Sequence, residues 1–80
     1  MNTPHPVEPA QEITTLADAL PREIERVQDL IPDYESLPDG AGRIGAYLMR
    51  ESIKAAHRAM IEGDVVAMLV AHEDLKGFER

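Results

Sequence analysis

Gly63-Asp64-Val65-Val66-Ala67-Met68-Leu69-Val70-Ala71 is the stretch on which the fold turns. Seven apolar residues in a row follow a glycine and an aspartate, and they read either as a buried strand or as a helix. Valine favours strands, but no second segment of similar character exists elsewhere in the 80 residues to pair with it. Asp64 is a good helix N-cap, and Gly63 a good terminator for the segment before it. The stretch therefore reads as a helix from about Asp64 to Lys76 or Gly77.

On that helix Met68, Ala71, Leu75 and Phe78 form the inward stripe. Val65 and Leu69 lie well off it, and Val66 and Val70 lie on the opposite side. Apolar side chains thus surround the first two turns, more than one core-facing stripe needs. Either the rest of the chain covers the surplus, or a second copy or another protein does.

Working back from Gly63, the preceding segment reads as a helix from about residue 42 to 62. Ile44, Leu48, Ala55 and Ala59 fall on one flank, and Met49, Ile53, Ala56 and Met60 on the adjoining one. So wide an apolar arc expects two neighbours. The short link Glu62-Gly63-Asp64 makes this helix and the next antiparallel.

Further back, Ile13, Leu16, Leu20, Ile24, Val27, Ile31 and Tyr34 recur at gaps of 3 and 4. That is one helical face held for about six turns. Thr15 and Asp18 resemble a capping box. Pro21 and Pro32 interrupt the pattern, since each removes a backbone donor and crowds the preceding turn. The expectation is a short turn near 14–20, a main helix from Pro21 to about Ile31, and a bent turn to Leu37. Pro38-Asp39-Gly40 is turn chemistry.

The fold expected is all-α, a small three-helix bundle with helices near 14–36 (bent by proline), 42–62 and 64–77. Residues 13–80 make its single domain. Residues 1–12, with Pro4, Pro6 and Pro9 and few apolar groups, read as a disordered leader.

The chain carries a formal net charge of −7 and no cysteine. Disulfides and thiolate metal sites are excluded, and a core of this size supplies only a few kcal/mol. Self-association is the remaining reinforcement. Residues 1–40 hold nine acids against Arg22 and Arg26, whereas residues 41–80 balance six with six. Such a chain is repelled by nucleic acid phosphates and anionic lipid, so neither nucleic acid nor membrane is expected as a partner. No run approaches the roughly 18 apolar residues of a membrane span, and no secretory signal is recognisable. A cytoplasmic protein is expected.

Three patterns imitate chemistry. Gly40-Ala41-Gly42-Arg43-Ile44-Gly45 matches G-x-G-x-x-G and opens a helix, but no buried strand precedes it and 80 residues cannot hold the parallel sheet. Its remaining functional reading is an anion or nucleotide resting at 40–45. Arg43, Arg50, Lys54, His57 and Arg58 form a basic stripe, which pairing with the acids of the first helix (Glu23, Glu25, Asp29, Asp33) and a local Arg58–Glu62 pair would absorb. His72-Glu73-Asp74 groups an imidazole with carboxylates, but consecutive helical side chains diverge and cannot converge on one ion.

The hairpin around Gly63 resembles a DNA-binding helix-turn-helix, with Ala59 and Gly63 at that motif's spacing. Arg58, Glu62 and His72 then occupy positions that should be buried, and Val-Val-Ala-Met-Leu-Val offers nothing to hydrogen-bond base edges. The same hairpin resembles a tetratricopeptide repeat, with no second copy to stack on. Neither resemblance supplies a function.

No hydroxyl sits on a nucleophile elbow or beside a sequence-adjacent base. The expectation is no enzyme: no catalytic residue, no metal and no cofactor. What remains is an acidic helical interaction module, docking through Val65, Val66, Leu69 and Val70 on itself or on an unidentified protein. The alternative is an acidic inhibitor or mimic that binds a basic protein surface through residues 18–39.

Overall fold

The structure, a computed structural model, describes residues 9–79, with side chains from residue 15 onward. Helix α1 runs Pro9–Glu35, a 3-10 turn covers Pro38–Gly40, α2 runs Arg43–Glu62 and α3 runs Val65–Lys76. The helices pack pairwise into an all-α three-helix bundle with no strand among the described residues.

α1 differs from the expectation of three pieces. It is one continuous helix that contains both Pro21 and Pro32, and it begins at Pro9. Residues 1–8 of the expected leader lie outside the described residues. The physical reason lies in where the prolines fall. Pro21 and Pro32 are exposed, as are Ala17 and Gln28 four residues earlier, so water can solvate the two carbonyls deprived of a helical donor. Thr15 and Asp18 accordingly lie inside the helix, not at its start.

The remaining boundaries follow local chemistry. α2 stops at Gly63, which takes the left-handed conformation (φ 67°) that a side chain would oppose. Its N–H donates to Met60 O at 3.3 Å while the Asp64 N–H donates to Ala59 O at 3.0 Å, the paired closure of a Schellman end. Asp64 then caps α3 as expected, its Oδ1 accepting from the Ala67 N–H at 3.1 Å.

The core takes Leu16, Leu20, Ile24, Val27 and Leu30 from α1, and Met49, Ile53, Ala56 and Ala59 from α2. α3 adds Met68, Ala71 and Leu75. In α1 the heptad drift puts Leu30 in the core and leaves Ile31 half-buried, a shift of one position from the expected stripe. The larger correction is in α2. Of the expected flank Ile44, Leu48, Ala55 and Ala59, only Ala59 is buried. Alanines at 56 and 59 let the neighbouring helices approach closely, and so narrow a contact seals one stripe of α2 and leaves the adjoining flank outside.

Arg26 ties α1 to the end of α3. Its Nη2 donates to the Leu75 carbonyl at 2.8 Å and its Nη1 to the Phe78 carbonyl at 2.9 Å. Its Nε donates to Glu23 Oε2 at 2.8 Å, which fixes the guanidinium. A cation thus adds donors to carbonyls at and just beyond the end of α3, at the negative pole of its dipole. The Tyr34 hydroxyl donates to the Glu79 carbonyl further along the same seam.

Candidate interaction surface

Steps of about 100° per residue put Met68, Ala71 and Leu75 on one side of α3. They put Val66, Leu69 and Val70 on the other. The first three are buried; the second three stand 71%, 47% and 56% exposed. Val65, at the margin between the two sides, is half-buried against the core. The apolar surplus of this helix is therefore not folded over by α1 or α2. Of the four expected contact residues, three are in solvent and one supports the core.

Charge frames this face on both sides. From residue 62 to 74 the chain holds Glu62, Asp64, Glu73 and Asp74 and no lysine or arginine. All four acids are exposed. Glu73 follows Leu69 by four residues and Val70 by three, so it is the next position on the same face. The nearest base, Lys76, approaches Glu73 at 3.8 Å.

α2 presents a second set of exposed apolar groups that the sequence reading assigned to the core, Ile44 (75% exposed) and Leu48. Their spacing of four residues is as good a core signature as that of buried Met49 and Ile53. What separates the two pairs is which sector of α2 its neighbours reach.

The basic stripe on α2 is exposed throughout. Arg50 pairs with Glu35 of α1 and Lys54 with Glu51 of its own helix at 3.0 Å. Of the acids expected to neutralise the stripe, Glu23 serves Arg26, and the expected Arg58–Glu62 pair is not among the ion pairs of the described residues. Tyr47, exposed, interrupts the stripe between Arg43 and Arg50, an aromatic that the sequence reading did not count on this face.

The glycine-rich segment has a packing explanation for each glycine. Gly40 takes φ 71° beside Asp39 at φ 59°, completing the tight turn. A Cβ on Gly42 would stand 1.9 Å from the Tyr34 carbonyl oxygen, and one on Gly45 would stand 2.7 Å from Cδ2 of the Tyr34 ring. These glycines admit α1 against the start of α2, which gives the pattern G-x-G-x-x-G a packing role.

His72 is half-buried, and Glu73 and Asp74 are exposed. Among the described residues no three or more of His, Cys, Asp and Glu converge on a point where a metal ion would sit. No helix among them is long and apolar enough to cross a membrane.

Comparison of the chain with protein-family models, with curated proteins and with solved structures finds no match.

Proposed function

We propose that this chain is a protein–protein interaction module whose docking surface is the outer face of α3, centred on Val66, Leu69 and Val70. One observation carries the reading. Three large aliphatic side chains on consecutive turns are left in water by a bundle whose core is closed without them. Apolar surface rimmed by charge marks contact with another molecule, and completing the burial of side chains that the bundle already half covers, as at Leu69 and Val70, contributes about 1 kcal/mol each.

A second reading rests on a different observation. Asp18, Glu25, Asp29 and Asp33 are all exposed, and gaps of 7, 4 and 4 align them along one side of α1. That stripe supports the acidic inhibitor or mimic.

Photo-crosslinking in the native cells separates the two. A benzoylphenylalanine in place of Val66 is expected to give an adduct of defined mass that disappears in the Leu69→Glu background, with helical content unchanged. Adducts formed only from position 25 on α1, and indifferent to Leu69→Glu, would contradict the α3 reading and favour the acidic one.

A further inference from the structure

The occupant of the α3 face follows from its charge. We infer that the partner is a basic amphipathic helix, apolar on one side with lysine or arginine flanking that side, rather than a second copy of this chain; this rests on the docking reading above. The face offers an i, i+3, i+4 set of aliphatic side chains at Val66, Leu69 and Val70, the spacing that an apposed helix meets with its own apolar stripe. Around it stand the exposed carboxylates Glu62 and Asp64 at one end and Glu73 and Asp74 at the other. Glu73 occupies the position next to Leu69 and Val70 on the face itself, so whatever covers the valines must also face a carboxylate.

A second copy fits this pattern badly. Two-fold pairing of the face brings four acids, offset by Lys76 alone, up against the same set, in two chains each carrying −7. Like charges brought together at the rim oppose docking. A basic helix supplies the same apolar contact and cations for the rim carboxylates, of which Glu73 alone is near a base of this chain, and the acidity of the whole chain steers it in. Lysine and arginine stems also cover apolar surface while their charged heads reach the rim.

The probes are two synthetic helices of about 14 residues, long enough to span α3. They share one leucine stripe, with lysine at all other positions in the first and glutamate in the second. Each is titrated into the full chain and followed by backbone amide shifts, with the molar mass of the free chain measured by light scattering.

The expected result is a monomeric free chain that binds the lysine helix with shifts concentrated on residues 65–74. Binding weakens at least about tenfold when Val66 and Leu69 both become glutamine. It weakens comparably when Glu62→Gln, Glu73→Gln and Asp74→Asn are combined, and the glutamate helix does not bind. A free chain that is dimeric through this face, with the dimer lost in Leu69→Glu, overturns the basic partner and leaves the docking surface standing. Shifts confined to α1, or none on α3 with either helix, overturn the proposal outright. An absent crosslink from position 66, by contrast, removes the docking reading itself.

Discussion

Leu75→Ala is expected to leave folded and unfolded chains in comparable amounts at 25 °C. Leu75 is fully buried on the inner side of α3 and packs in the core cluster shared by all three helices. Truncating a buried leucine costs about 2–5 kcal/mol, through lost burial and the cavity left behind. A single core in a chain this short supplies only about 3–5 kcal/mol of net stability, so the loss consumes nearly all of it. Little can move in to fill the space, because Ala56, Ala59 and Ala71 of the same core cluster are already small. Urea titration followed by circular dichroism reads the effect, and a loss under about 1 kcal/mol would show that the core does not close where it is described. The contrast with Leu69, six residues earlier on the same helix, is what gives the result its meaning. The two leucines share a residue type and a helix, and differ in the side they face.

Gly42→Ala is expected to be the most damaging change of a single hydrogen for a methyl group. Gly42 is buried and has ordinary dihedral angles (φ −95°, ψ 4°), so its requirement is space and not backbone freedom. The added Cβ would fall 1.9 Å from the Tyr34 carbonyl oxygen and 2.6 Å from its carbon, both backbone atoms of α1. Neither can swing aside. The end of α1 and the start of α2 must separate, which costs about 3 kcal/mol, the upper range for overpacking, and disturbs the seam where Tyr34 meets Glu79. Gly45→Ala is the internal control. Its Cβ meets side-chain atoms of the Tyr34 ring and no backbone atom, so the ring must shift against its Glu79 contact, while alanine gains about 1 kcal/mol of helix propensity over glycine. The net change at 45 should therefore be smaller than the change at 42. Equal and mild effects at both positions would reopen the reading of 40–45 as a ligand-binding loop.

The sequence carried the local half of the fold. Gly63 and Asp64 announced the second turn through backbone conformation and capping, which depend on the residues themselves, and the inward stripe Met68, Ala71 and Leu75 followed from period alone. Two features were not legible because they depend on what lies outside the segment. Pro21 and Pro32 are strong local breakers, yet each sits on the wet side of α1 where its lost hydrogen bond can go to water. Ile44 and Leu48 have the spacing of core residues, and only the sector of α2 covered by its neighbours decides that Met49 and Ile53 are buried in their stead. The candidate surface was legible in the run Val65–Ala71 as an excess of apolar groups. Which of them support the core and which face outward needed the arrangement of three helices: Val65 is the one of the four that turns partly inward.

The central claim is that the bundle is complete without the outer face of α3. Its most direct test is the thermal and urea stability of Val66→Gln, Leu69→Gln and Val70→Gln combined, measured at low micromolar concentration beside the parent chain. Glutamine is a good helix former, so the substitutions remove apolar surface without penalising α3. The expected result is the same helical content and a stability within about 1 kcal/mol of the parent, as for changes at exposed positions. A loss of several kcal/mol, on the scale of Leu75→Ala, would mean that these side chains belong to the fold and are not held out for a partner.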